Sequence, residues 1–211
     1  MWIVGIVAAL VFGFGALRVQ GRLAPGPMPF WLEGLFLENP LRRAWFPPGF
    51  VLELAGTVTG LRVGEVGTGI GVVAAALAAA VGPDGRLWGV DRQAAAVRAT
   101  AARLWRQGYG ARVRLDVADA RDLPWPSRSL DLVVMVAVLG EVPPPGRTRA
   151  LAEVRRVLRE DGRLVVVEYW PDPHYLSEKA VRDLVTAAGF DVAAARRGRL
   201  QHGVVARPRP S

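Results

Sequence analysis

From about residue 61 onward, short apolar runs alternate with longer segments in which apolar residues recur every three or four positions. That alternation of strand and helix signatures predicts a mostly parallel sheet covered by helices on both faces. The strand-like runs are residues 61–65, 86–90, 112–116, 130–138 and 163–169. Helical patterns cover 93–107, 147–158 and 177–188, and an alanine-rich helix opens after Gly71. Ser177 suits the start of the last helix and Gly189 its end. Residues 190–206 divide at Gly198 into two β segments expected to pair antiparallel, and residues 49–56 predict a short helix leading into the first strand. No internal repeat is visible.

The start of the chain follows a different pattern. Residues 2–17 carry no charge and are followed by Arg18 and Arg22. A helix of that length measures about 24 Å, against roughly 30 Å of bilayer hydrocarbon, which predicts a short N-terminal membrane-anchor helix over residues 1–20. A cleaved leader carries its positive charge before the apolar run, whereas here the arginines come after it. Their placement puts the following domain on the cytoplasmic face of the membrane, with the N-terminus outside. The alternative is a helix packed on the domain or on a second subunit. Residues 21–56 form a linker with short helices, because repeated prolines from Pro25 to Pro48 interrupt any long helix. Trp31, Phe36, Trp45 and Phe46, with Arg42 and Arg43, either pack across the domain edge or lie at headgroup level and roof a substrate site. The domain proper is expected over residues 57–211.

Composition narrows the chemistry. A chain of 211 residues builds one substantial core with appendages. It contains no cysteine, which excludes disulfides, thiolate metal sites and cysteine nucleophiles. The net charge of +8 comes from arginine, since Lys179 is the sole lysine. This bias reflects either overall composition or attraction to an anionic surface. The arginines are scattered among acids, with no basic stretch interleaved with aromatics, so nucleic acid is an improbable partner.

The candidate chemistry lies in residues 61–91. A strand ending near Glu65 meets glycines at alternate positions, Gly67, Gly69 and Gly71, and then a helix. Such a turn lets backbone approach a ligand while the first helical amides face an anionic group. The next strand ends in Asp91, where a carboxylate can accept from two ribose hydroxyls. A dinucleotide fingerprint would need its third glycine at position 72, which is Val72. The stretch therefore reads as a nucleoside site of another kind.

The run Glu65, Gly67, Gly69, Gly71, followed by Asp91, resembles the first motifs of class I S-adenosylmethionine-dependent methyltransferases. The resemblance extends over residues 60–206. Asp119-Ala120, Leu123-Pro124-Trp125-Pro126 and Ser129-Leu130-Asp131-Leu132-Val133 are similar to that family's acid, loop and fourth strand. Val154-Arg155-Arg156-Val157-Leu158 and Asp161-Gly162-Arg163-Leu164 resemble the following helix, turn and fifth strand of its small-molecule subset, which includes quinone-biosynthesis-type enzymes. This likeness implies an α/β, Rossmann-like, doubly wound sheet of seven strands with an antiparallel C-terminal hairpin. It also implies S-adenosylmethionine as cofactor. The turn from Gly67 through Thr68 to Gly71 would hold the methionine moiety, Glu65 would face its ammonium group, and Asp91 with Arg92 would meet the ribose. Asp119 and Ala120 would meet the adenine, with Val136 nearby on the fourth strand.

Methyl transfer is an in-line displacement, so alignment and exclusion of water are the main requirements, and a base is needed only where the acceptor must lose a proton. Acceptors on open α/β sheets lie beyond the carboxyl ends of the strands. That selects Glu141 after the fourth strand, and Glu168, Tyr169, Asp172, His174 and Tyr175 around the fifth, as catalytic candidates. His174 follows Pro171-Asp172-Pro173 and is expected in an exposed turn, whereas His202 reads as structural. No metal site is expected. Residues 138–145 lack the acid-Pro-Pro-aromatic pattern of base-amine methylases, and the lone lysine disfavours a lysine-containing ribose-methylation site. The leading expectation is a membrane-tethered methyltransferase acting on a small or amphiphilic acceptor such as a quinone precursor or lipid. The alternatives are a noncatalytic cofactor-binding scaffold and an RNA methyltransferase. Oligomeric state and acceptor atom are open.

Overall fold

The computed structural model describes residues 48–170 and 172–210. The expected anchor at residues 2–17 and the aromatic segment up to residue 47 lie outside the described residues. Among the described residues, no helix is long and apolar enough to cross a membrane.

The chain begins with helix α1 (Pro48–Ala55) and enters strand β1 (Arg62–Val66). Next come α2 (Val72–Ala80), β2 (Arg86–Asp91), α3 (Ala94–Arg106) and β3 (Val113–Val117). After β4 (Leu130–Val136) follow α4 (Pro144–Val157), β5 (Leu158–Tyr169) and α5 (Glu178–Ala187). The hairpin β6 (Phe190–Arg197) and β7 (Gln201–Pro208) closes the domain. The seven strands form one sheet in the order β3-β2-β1-β4-β5-β7-β6. Strands β1 to β5 are parallel, and β7 runs antiparallel to both β5 and β6. The expected sheet and C-terminal hairpin are both present.

The central strands are apolar on both sides because helices cover both faces. Val133, Met135, Leu164 and Val166 face α4 and α5, whereas Leu132, Val134, Val165 and Val167 face α1, α2 and α3. Reversal of strand order between β1 and β4 leaves a crevice beyond their carboxyl ends, where α/β sheets bind ligands.

Several boundaries differ from the sequence expectation. Helix α4 begins at Pro144 rather than at residue 147, because proline is compatible with a first helical turn whose amides need no intrahelical partner. Strand β4 stops at Val136 rather than 138, since Ala137 takes φ 55° and turns the chain. Strand β5 begins at Leu158 rather than at 163, with a register shift opposite Leu130 and Leu132 that absorbs Asp161 and Gly162. Ser177 caps α5 as expected, its hydroxyl accepting from the Ala180 amide at 3.2 Å.

The arginines have work inside the fold. Arg163 donates to the carbonyls of Ala55 and Thr57, tying α1 to β5, and Arg156 donates to those of Leu123 and Trp125. Arginine's fixed fork of donors suits such carbonyl clamps, so part of the charge bias is structural.

Candidate functional site

The turn between β1 and α2 follows from its glycines. Gly67, Gly69 and Gly71 have φ of 80°, 50° and 78°, a region open to glycine at little cost. At Gly67 a Cβ would collide with the Val138 side chain, so β1 and the loop after β4 approach each other as backbone against side chain. Helix α3 holds the turn from behind: Thr100 Oγ1 donates to the Gly69 carbonyl at 2.9 Å and Arg103 Nε to that of Ile70 at 2.8 Å. These clamps leave the opposite side of the turn facing the crevice.

Asp91, at the end of β2, joins the turn to the next helix. Its Oδ2 accepts from the Gly69 amide at 2.9 Å and its Oδ1 from the Gln93 amide at 2.9 Å. The second bond closes an Asx-type turn that leads into α3 without capping it. Glu65 lies 1% exposed below the turn, and its Oε2 has no hydrogen-bond partner. Burial, aided by the nearby Asp91 charge, holds its carboxyl well above the usual range. A buried acid without a partner is primed to receive a cation or a donor.

The far wall follows β3. Asp119 is gripped by Arg121, whose Nε and Nη2 each donate at 2.8 Å to separate carboxylate oxygens while its amide donates at 2.9 Å. These bonds hold the Asp119 carboxyl down at about 2. Between the walls an open cleft contains about 570 Å³ of empty space, part of it continuous with solvent. Gly67, Asp91, Arg92, Asp119, Ala120 and Glu141 all line it. Distant stretches of sequence thus meet at one place.

Other expected residues stand elsewhere. Thr68 is 4% exposed and packs its methyl group beneath Gly89, with its hydroxyl unpartnered, so its side chain does not line the cleft. Val136 belongs to the core on the α1–α3 side and lies outside the cleft wall. Of the catalytic candidates only Glu141 lines the cleft. Glu168 is 1% exposed, and burial, with the Asp172 charge, pushes its carboxyl up to about 8. Tyr169, its neighbour in the strand, points to the opposite face and joins the α1–α3 core. His174 corrects the expectation of an exposed turn: its side chain is only 11% accessible, with Nδ1 3.5 Å from Asp172 Oδ1. His202 is structural as expected, buried and bonded through Nε2 to the Leu176 carbonyl at 2.8 Å.

Sequence reading missed Gln93, Arg121 and Val138, all of which line the cleft. The Asp119-x-Arg121 spacing was a usable signal for a paired acid. Nothing local marks Val138, which reaches the cleft only because Ala137 turns the chain.

The model of the methyltransferase domain family matches residues 63–162. A ubiquinone/menaquinone biosynthesis C-methyltransferase from Teredinibacter turnerae is 31% identical over 165 residues, 78% of this chain and 65% of that protein. Its counterpart from Pseudomonas entomophila is 31% identical over 144 residues, 68% of this chain and 55% of that protein. The chain therefore spans less than two thirds of either relative. Among solved structures, a SAM-dependent methyltransferase from Aquifex aeolicus superposes with a TM-score of 0.77 at 24% identity, covering 85% of this chain and 98% of that one, a likeness of fold. With the glycine turn, the two acids and the sheet order already in place, residues 63–162 match the methyltransferase domain family, on a fold shared with S-adenosylmethionine-dependent methyltransferases.

Proposed function

We propose that the chain transfers a methyl group from S-adenosylmethionine to a small or amphiphilic acceptor of the quinone-precursor or lipid-like kind. The observation that carries this reading is the cleft in which Gly67, Asp91 and Asp119 converge. The residues present fit the cofactor. Gly67 brings bare backbone to the cleft wall beside Val138, and Glu65 offers a carboxyl oxygen for an ammonium group. Each Asp91 oxygen accepts one backbone amide, which leaves further lone pairs for ribose hydroxyls. Asp119, kept ionised by Arg121, accepts from an adenine amino group, and the Ala120 amide serves the ring.

When bound, the cofactor supplies an electrophilic methyl group on sulfur. The chain aligns and encloses. An ammonium group beside Glu65 would favour its carboxylate form, since an adjacent cation offsets the burial that raises its carboxyl. Glu141, the acid on the cleft wall after β4, orients an acceptor hydroxyl or takes its proton. The named activity of the relatives supports an aromatic carbon of a quinone precursor as the methylated atom.

Calorimetric titration of the folded protein with S-adenosylmethionine, followed by mass analysis of hydroquinone and lipid acceptors, tests the reading. Saturable binding and methylated product are expected. A folded sample with no heat of binding would end it, whereas binding without product across the panel would favour the noncatalytic scaffold.

We further propose that residues 2–17 tether the domain to the cytoplasmic face of a membrane with the N-terminus outside, which suits an amphiphilic acceptor. In cell fractionation the full chain should sediment with membranes while a chain starting at Pro25 stays in the supernatant. Equal distribution of the two would overturn the tether.

A further inference from the structure

Two loops follow the carboxyl ends of the central strands: residues 137–143 after β4 and residues 172–177 after β5. The first presents Val138, Glu141 and Val142 to the cleft, whereas the second does not line it. They nevertheless touch. A Cβ at Gly140 would fall on the carbonyl oxygen of His174, so the two backbones meet where only a glycine fits. Gly140 does not have a left-handed φ, so the close approach accounts for the residue and backbone strain does not.

Each loop is also pinned from its own side. Arg147 of α4 donates through Nη2 to the Gly140 carbonyl at 2.9 Å and through Nε to that of Val142 at 2.8 Å. The second loop is held by β5 and β7. Glu168 and His202 are directly opposed in the antiparallel register, which puts both side chains on one face of the sheet. Both reach the backbone of Leu176: its carbonyl accepts from His202 Nε2 at 2.8 Å, and its amide lies 3.5 Å from Glu168 Oε2. Tyr175 sets its ring edge-on to that of His202, with centroids 5.5 Å apart. Within the loop, Asp172 Oδ1 accepts the His174 amide at 2.7 Å.

The arrangement is tight but not satisfied. Since the Leu176 carbonyl can only accept, His202 Nε2 carries the proton and Nδ1 is left as a bare acceptor. His202 Nδ1, Glu168 Oε1 and His174 Nδ1 are all buried without a hydrogen-bond partner. An apolar trio of the same size would close these loops more firmly, because a buried polar atom without a partner carries a desolvation cost that water would remove. Water reaching these atoms on opening would remove that cost, which narrows the free-energy gap between closed and open loops.

We propose that the loops at residues 137–143 and 172–177 open and close as one unit, coupled through the Gly140–His174 contact and latched by His202 and Glu168. The wall of the cleft after β4 is thereby set from β7, on the far side of β5. In this role Gly140, Glu168 and His202 are positioning residues, acting on an acceptor through the loop that carries Glu141. The assignment of that wall to the acceptor rests on the methyltransferase reading; the coupling itself does not.

Amide hydrogen exchange of the full chain, without cofactor, tests the coupling. In the unmodified protein the amides of 138–142 and 174–176 should show the same opening free energy and the same temperature dependence. His202→Phe, which breaks the Leu176 contact, should accelerate exchange of 138–142 as well as 174–176 by a similar factor of about 5 or more, although no substituted atom touches the first loop. Gly140→Ala should do the same from the other side. Acceleration confined to the substituted loop, or unrelated opening energies in the unmodified protein, would overturn the proposal, and the latter measurement needs no variant to fold. Adding S-adenosylmethionine separates this inference from the functional reading. Coupled loops in a protein that binds no cofactor would leave the latch standing and remove the methyltransferase role; cofactor binding with uncoupled loops would do the reverse.

Discussion

Replacing Asp91 with alanine is expected to abolish measurable S-adenosylmethionine binding and to lower stability in the same variant. Its carboxylate serves two structures at once, accepting the amide of Gly69 in the glycine turn and that of Gln93 at the start of α3. Alanine leaves both donors without their acceptor in a site where the side chain is 8% exposed as a residue. Each such loss costs about 1–3 kcal/mol, so unfolding free energy should fall by several kcal/mol. Bonds from two ribose hydroxyls to a charged group contribute about 1.5–3 kcal/mol each, so affinity should fall by roughly 10²- to 10⁴-fold beyond any effect of a misplaced turn. Asp91→Asn separates the two roles. The amide keeps one acceptor oxygen and so one backbone bond, which should restore about half of the stability while affinity stays low. Calorimetry with the cofactor and thermal unfolding check both arms. Wild-type affinity in Asp91→Ala would show that the ribose lies elsewhere.

Glu168→Gln is expected to be more stable than the unmodified protein at alkaline pH. Burial, with the charge of Asp172 and against the weaker pull of Arg147 and the amides of Leu176 and Gly140, raises the carboxyl from 4.5 to about 8. A folded state that binds its proton more tightly than the unfolded chain loses stability as pH rises between those two values. Below about 4.5 both states are protonated and the group contributes nothing; above about 8 both are ionised and the full cost is present. At about 1.4 kcal/mol per pH unit the cost reaches several kcal/mol. Glutamine has the same shape and no proton to lose, so its advantage should grow from pH 5 to 8 and level off above. Glu65, whose carboxyl burial also raises, is common to both proteins and drops out of the comparison. Denaturant unfolding from pH 5 to 9 measures the difference, and parallel stability profiles would refute the assignment of a raised acid at this position.

Both predictions join stability to function through buried acids. Asp91 holds the turn and lines the cleft; Glu168 meets the Leu176 amide in the loop that abuts Gly140 of the cleft wall. Glu65 is the third case. An acid that stays unpartnered in the folded chain gives up stability, and the return is a group that gains its charge when a cation arrives. A Glu65→Gln substitution would relieve the first effect and remove the second, which is why the stable protein and the binding protein ask for different residues there.

How much of this was legible differs from residue to residue. The glycines at 67, 69 and 71 and the acid at 91 could be found because each answers a local demand, a left-handed backbone or a strand's carboxyl end, whereas Glu65 and Asp119 were singled out through the family resemblance. Arg121 was within reach too, two residues from the acid it pairs with. His174 was misjudged because Pro171-Asp172-Pro173 predicts a turn, and a turn's exposure depends on what covers it. The backbone of this one abuts Gly140, which lies 34 positions earlier in the chain. Tyr169 and Glu168 illustrate the same limit. Adjacent in sequence at the end of one strand, they occupy opposite faces, and neither reaches the cleft.

The sequence by itself determined the order of strands and helices, the glycine turn, the acids beside it and the family to which they point. Those features rest on periodicity, on glycine's backbone freedom and on the reach of single side chains, all of which act over a few residues. Only the tertiary structure decided which acids face the cleft and which are buried away from it, that Asp91 holds two backbone amides while lining the cleft, and that the loops after β4 and β5 press against each other. Those outcomes depend on registers between distant strands, and a register is set by the packing of the whole sheet.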